Sequence, residues 1–170
     1  VDDLIQQRKK YDAIIIDLPD PSHPDLNKLY STIFYKKVRE LLSGDGALSV
    51  QSTSPYHARD AFLTVGVTLR AAGFKFVERY HANIPTFGEW GWTIATTVGQ
   101  SPSKRILRGP QEIPEHMVSN IGFIMSSFHF PNGILENEKF IKPNDIDSNL
   151  MYILHEKSWL REEINVGNKN

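Results

Sequence analysis

The sequence has no cysteine. Disulfides, thiolate metal sites and a cysteine nucleophile are excluded, in keeping with a reducing compartment. Neither charge is in surplus: 19 Lys and Arg stand against 20 Asp and Glu, for a formal net charge of -1. No basic face for neutralising phosphates is implied, so nucleic-acid binding is not expected. No apolar run approaches the roughly 18–20 residues that span a bilayer, and no signal-peptide pattern opens the chain. His23, His57, His81, His116, His129 and His155 have no spacing such as His-Glu-x-x-His, and no metal site is expected. A Gly-x-Gly-x-x-Gly turn and a phosphate-binding loop are also missing. So is the Gly-x-Ser-x-Gly elbow, which weighs against an α/β-hydrolase.

What remains is an ordinary globular composition, 40% hydrophobic and 23% charged over 170 residues, enough for one domain with its own core. Asp12 to Ile16 is a short apolar run without alternation, the pattern of a strand buried on both faces of a parallel sheet. Leu18 to Pro24 holds three prolines in seven residues and reads as a loop. Leu29, Ile33, Val38, Leu41 and Leu42 recur at helical spacing, and Ser43 to Gly46 ends that helix. Ala47 to Val50 is a second strand. A helix follows from about residue 58 to 72, with Phe62, Val65, Leu69 and Ala72 on one face and Gly73 closing it. Phe74 to Tyr80 is a third strand, His81 to Glu89 a loop or strand extension, and Trp90 to Thr96 a fourth strand with alternating large residues. The first three strands, joined by helical crossovers, predict a parallel α/β sheet. The last two, joined by a loop alone, predict an antiparallel pair at the sheet edge. Beyond Val98, Pro102, Pro110, Pro114, Pro131 and Pro143 cut the chain into short pieces, ending in a helix around His155 to Glu163.

Ligands of open α/β sheets bind beyond the carboxyl ends of the strands. Asp17 to Pro24, Gln51 to Tyr56 and His81 to Glu89 all end there. They bring Asp17, Asp20, Gln51, His81 and Glu89 to one crevice, whose acidity suits an amine or another cation. Each residue also has a plain structural reading. Asp17 can cap the next turn, Asp20 before Pro21 can start one, and Gln51 can satisfy backbone groups at a strand end. His81 can be an ordinary loop histidine and Glu89 a turn residue. Trp90 and Trp92 read as core.

Tyr11-Asp-Ala-Ile-Ile-Ile-Asp17-Leu-Pro-Asp20-Pro21-Ser-His-Pro24 resembles the polyamine aminopropyltransferase signature, a strand followed by Asp-x-x-Asp-Pro-x-x-Pro. Leu29-Tyr30 and Phe34-Tyr35 follow at the family's spacing. Gly46-Ala-Leu-Ser-Val-Gln51 is similar to its next strand, and Ile84-Pro85-Thr86 to its later Ile-Pro-Thr segment. Phe87-Gly-Glu-Trp-Gly91 resembles the subgroup of spermidine synthases fused to N-terminal membrane helices. The resemblance covers roughly residues 8 to 97. It implies the C-terminal half of a Rossmann-like class I methyltransferase fold, a parallel sheet with an antiparallel edge strand. It also implies transfer of an aminopropyl group from decarboxylated S-adenosylmethionine, a co-substrate rather than a bound cofactor, to putrescine, giving spermidine and 5′-methylthioadenosine. By position, Asp17 corresponds to the family's proton-accepting aspartate and Asp20 to its second polyamine-contacting aspartate. Pro24 corresponds to the proline beside the methylthioadenosine site, and Gln51 to a glutamine facing the diamine. Glu89, with Asp20, is expected to hold the distal ammonium. His81 departs from the pattern, standing where many soluble members have tyrosine. Asp2 and Asp3 are too close to Asp12 to be matched to the adenine-binding segment.

Residue 1 is Val and leads straight into a charged helical stretch, so the chain reads as the C-terminal part of a longer protein. Residues 1–98 are expected to form the catalytic half-domain and 99–170 a proline-interrupted extension. The resemblance implies a homo-oligomeric complete protein, cytoplasmic or held at the cytoplasmic face of a membrane by upstream helices. Two other readings fit the same fold: an S-adenosylmethionine-dependent methyltransferase, and a non-catalytic relative that binds polyamines.

Overall fold

In the computed structural model, which describes residues 1–109 and 119–167, four strands form one mixed sheet in the order β1-β2-β4-β3. Pro110, Pro114 and His116 lie outside the described residues. Strands β1 (Tyr11–Ile16) and β2 (Leu42–Gln51) pair in parallel, whereas β4 (Gly88–Thr96) runs antiparallel to both β2 and β3 (Phe76–Ile84). The antiparallel pair of β3 and β4 lies at the sheet edge as expected, but the strand antiparallel to the rest is not itself the edge strand; β4 lies between β2 and β3. Composition explains this. Thr93 and Ala95 of β4 are fully buried. β3 carries Glu78, Arg79 and His81, charged and polar residues of the kind that suit an edge.

A short helix, α1 (Asp2–Gln6), precedes β1. The single helix expected from Leu29 onward is divided. His23 caps α2 (Pro24–Asn27), whose first residue is proline, a 3-10 turn covers Lys28–Tyr30, and Ser31 caps α3 (Thr32–Leu41) by accepting from the Phe34 N–H. A cap side chain restarts the helix because it satisfies a donor that the preceding turn cannot. Ser43 to Gly46 do not end that helix but bulge within β2. The pairing steps from Tyr11↔Leu42 to Ala13↔Ala47. Helix α4 (Arg59–Ala71) falls where expected, with Phe62, Val65 and Leu69 fully buried.

Helices α3 and α4 cover one face of the sheet. Ile16, Leu48, Val50, Val77 and Ala95 pack there in a core shared with Tyr35, Val65 and Leu69. The other face carries Ile15, Ser49, Gln51, Trp92, Ile94, Tyr80 and Glu78 by strand alternation. Ile15 is 80% exposed, so β1 is not buried on both faces as its apolar run suggested. Among the described residues, α5 (Pro102–Arg108) reaches this second face, its Ser103 N–H and hydroxyl donating to the Glu78 carboxylate at 2.6 and 2.7 Å.

The described residues from 119 onward wrap the sheet edge and return to the core. After α6 (Ile121–Ser126), the Ser127 carbonyl accepts from the His81 N–H at 2.9 Å, capping the open side of β3. Glu138, in a 3-10 turn at Glu138–Phe140, pairs with both Arg70 and Arg79. Asn144, fully buried, donates its amide to the carbonyls of Asn27 and Tyr30. Helix α7 (Leu150–Gly167) then places Met151, fully buried, in the main core. That burial contributes about 2 kcal/mol. No helix of the described residues is long and apolar enough to cross a membrane.

Candidate active site

β1 and β2 are parallel, and the β3–β4 hairpin turns at the same edge of the sheet, so Asp17 to Asp20, Gln51 to Ser54 and Ile84 to Trp90 meet. Two adjoining hollows lie there, sharing Asp20, Phe87 and Trp90. The more open one, about 460 Å³, is lined by Asp17, Asp20, Gln51, Ile84, Trp90 and Trp92, among others. The more enclosed one, about 390 Å³, adds Thr53, Ser54, His57, Thr86 and Ser158. A further hollow beside α5, lined by Phe76, Lys104 and Arg108 among others, lies at the other end of β3 and holds no carboxylate.

Asp17 follows β1 directly and is exposed at the mouth, whereas Asp20 sits deeper, its side chain 20% exposed. Gln51, the last residue of β2, donates through Nε2 to Oδ1 of Asp20 at 2.9 Å. The buried Tyr30 hydroxyl donates to the Pro19 carbonyl at 2.8 Å and faces Oε1 of Gln51 at 3.3 Å. Burial, then the charges of Asp20 and Asp17, push the Tyr30 hydroxyl well above its ordinary range. It is a neutral donor at any working pH. On the far side of Asp20, Nε2 of His155 stands 3.5 Å from Oδ2.

The hairpin wall depends on two glycines. Gly88 has φ +73°, a conformation L side chains rarely adopt, and it closes the turn after Ile84. A Cβ on Gly91 would lie 2.5 Å from the Phe62 ring and 2.9 Å from the Thr53 carbonyl oxygen. The strand can therefore approach α4 and the Thr53 loop only without a side chain. Thr53 itself has φ +64°, rare for a β-branched residue. The N–H of Gly91 donates to the Thr53 carbonyl at 2.9 Å, helping to hold that backbone beside the crevice.

Of the residues singled out in the sequence, the structure brings Asp17, Asp20 and Gln51 together. It does not bring Glu89 to them. Alternation along β4 points Glu89 to the face opposite Trp90 and Trp92, where its Oε2 is 2.6 Å from Nδ1 of His81. The other ring nitrogen of His81 donates to the His129 carbonyl at 2.8 Å, and the ring packs against Phe130, centroids 4.6 Å apart. Pro24 opens α2 and is not among the residues lining either hollow. Trp90 and Trp92, read from the sequence as core, are half-buried and form the crevice wall, Trp92 stacked on Tyr80 at 5.5 Å. Their spacing of two was the available signal, since it puts both on the face that Gln51 occupies. His155 and Ser158 carried no local signal. Among the described residues, no group of three or more His, Asp or Glu side chains is placed to hold a metal ion.

The spermine/spermidine synthase domain family matches residues 3–105. The polyamine aminopropyltransferase of Shewanella oneidensis is 50% identical over 159 residues, which are 94% of this chain and 28% of that protein. Polyamine aminopropyltransferase 1 of Streptomyces coelicolor is 39% identical over 105 residues, 62% of this chain and 20% of its own length. The chain thus spans less than a third of these relatives. Two solved structures share the fold. A spermidine synthase in complex with the transition-state analogue AdoDATO superposes with a TM-score of 0.58 at 20% identity, covering 82% of this chain and 46% of that one. The spermidine synthase of Thermotoga maritima gives 0.59 at 21% identity, covering 82% and 47%. The fold is therefore the Rossmann-like α/β fold of spermidine synthase with a mixed sheet, and the chain belongs to the spermine/spermidine synthase family of aminopropyltransferases.

Proposed function

We propose that the complete protein carrying this chain transfers an aminopropyl group from decarboxylated S-adenosylmethionine to putrescine, releasing spermidine and 5′-methylthioadenosine. The observation that carries this reading is the convergence of Asp17 and Asp20, with Gln51 between strand end and loop, on one aromatic-walled hollow. An acidic pocket concentrates a dication. The faces of Trp90 and Phe87 attract ammonium groups and cover the methylenes between them.

The roles divide by position. An ammonium is not a nucleophile, so its proton has to leave before attack. Asp17, at the open mouth, accepts that proton and orients the nitrogen. The nitrogen lone pair attacks the methylene carbon beside the sulfonium. The C–N bond forms as the C–S bond breaks, and the bonding pair goes to sulfur, leaving a neutral thioether. Asp20, held by Gln51, takes the distal ammonium through charge-assisted hydrogen bonds. Glu89, expected from the sequence to share that task, is paired with His81 on the other face of the hairpin.

The test is an assay of the complete protein with decarboxylated S-adenosylmethionine and putrescine, following methylthioadenosine release. The reading expects release that drops by at least a hundredfold in Asp17→Asn, the scale of lost general-base catalysis. Methyl transfer from S-adenosylmethionine instead, or no turnover from a folded protein across several diamines, overturns it.

A further inference from the structure

The family match ends at residue 105, whereas the Shewanella relative aligns over 159 residues and so must share sequence beyond it. That later sequence reaches the site. Helix α7 is fixed at its start by two fully buried amides: the Met151 N–H donates to Oδ1 of Asn27 at 3.0 Å, and Asn144 bridges the carbonyls of Asn27 and Tyr30. Met151 enters the core. One helical turn on, on the same face, comes His155, 5% exposed, and three residues later Ser158. His155 directs Nε2 to Oδ2 of Asp20 at 3.5 Å. Ser158 lines the enclosed hollow together with Asp20, Thr53, His57 and Trp90.

Asp20 is thus flanked on both sides, its Oδ1 accepting from the Gln51 amide at 2.9 Å and its Oδ2 faced by an imidazole from the extension at 3.5 Å. A carboxylate bonded on one oxygen and faced by an imidazole on the other is restricted in the orientation it offers a ligand in the hollow.

Resting on the transferase reading, we propose that α7 completes the acceptor-amine site, with His155 as a positioning residue for Asp20 and Ser158 as part of the wall that closes the hollow. The extension then bears on acceptor binding, not on the sulfonium donor. The experiment uses the complete protein with His155→Leu, which keeps bulk but loses the N–H, and His155→Gln, which restores a donor. Expected for His155→Leu is an acceptor KM raised roughly tenfold, the scale of losing one polar contact to a charged group, with the donor-substrate KM within about twofold. His155→Gln should recover most of the loss. An unchanged acceptor KM, equal losses in Leu and Gln, or parallel rises in both KM values would overturn the assignment.

A second readout does not need turnover. The Nε2 resonance of ¹⁵N-labelled His155 should move in Asp20→Asn, and again when putrescine alone is titrated into the wild type. If the wild type shows no transfer but this signal moves, the transferase reading falls and the amine site stands. If the signal is unmoved in both, the role of His155 falls whether or not transfer occurs.

Discussion

The Nε2 atom of Gln51 lies 2.9 Å from Oδ1 of Asp20, and its Oε1 faces the Tyr30 hydroxyl at 3.3 Å. A carboxylate only accepts, so this fixes which way the amide points. Gln51→Leu keeps the buried volume but releases Asp20 on that side. The expected result is an acceptor KM raised about tenfold, with donor KM unchanged, measured by steady-state kinetics with each substrate varied in turn.

Gly91 has the strictest steric environment in the hairpin. In Gly91→Ala the new methyl group meets the Phe62 ring at 2.5 Å and the Thr53 carbonyl at 2.9 Å. The ring can yield, but backbone cannot, so β4 has to move away from the Thr53 loop. A loss of about 2 kcal/mol is expected, the scale of core overpacking, and Phe62→Leu should recover only part of it. Chemical denaturation of the two single variants and the double variant checks this. Full recovery in the double variant would remove the Thr53 contact from the account.

The acidic loop was legible because its signals are local. Prolines punctuate Leu18 to Pro24, and the apolar runs before Asp17 and Gln51 mark strands whose carboxyl ends share one edge. Strand order is not a local property. The sequence shows that β3 and β4 form a hairpin, but not that β4 turns inward to pair with β2, which is decided by how its small and uncharged residues pack on α4. The face assignment of Glu89 was available from alternation with Trp90 and Trp92. The sequence leaves His81 to Glu89 open as a loop or a strand extension, and only the second, with β3 continuing to Ile84 and β4 resuming at Gly88, carries that alternation through to Glu89. The contact of His155 with Asp20 joins opposite ends of the chain through a buried network of asparagines, and no pattern in either segment announces it.

Glu138 ties the extension to the sheet. Arg79, its side chain 3% exposed, is lowered from the usual guanidinium range by burial, which the Glu138 carboxylate partly offsets. Burial would raise the Glu138 carboxyl, but bonding to Arg79 and Arg70 outweighs it and holds the group below its ordinary value of 4.5. With the folded-state pKa depressed, the unfolded chain takes up the proton first. The stabilisation is complete above about pH 4.5 and is lost as pH falls through the lower folded value. Glu138→Gln leaves the Arg79 charge without its partner and should cost about 2 kcal/mol at pH 7. The difference from wild type should shrink steadily below pH 4.5. Denaturation curves of both proteins across that range measure it, and a difference independent of pH would mean that packing, not charge, is responsible.

Asn144 decides whether α7 can hold its place at all. Its Nδ2 donates to the Asn27 and Tyr30 carbonyls at 3.0 and 3.2 Å, and its Oδ1 accepts from the Ser148 hydroxyl at 3.0 Å. Its own N–H donates to the Thr68 hydroxyl, and its carbonyl accepts from Thr32. Asn144→Ala keeps the backbone bonds but leaves two buried carbonyls without their donor, an expected loss of about 3 kcal/mol. Asn144→Asp should be no better, since a carboxylate cannot donate to those carbonyls and brings a charge into a dry site. Because Tyr30 and Asn27 connect this network to the loop of Asp20 and to α7, the acceptor KM should rise together with the loss of stability. His155→Leu is expected to raise the acceptor KM with stability nearly intact. Comparing the two variants therefore separates the anchoring of the helix from the grip of its imidazole on Asp20. If Asn144→Ala destabilised the protein but left the acceptor KM untouched, α7 would be packing alone.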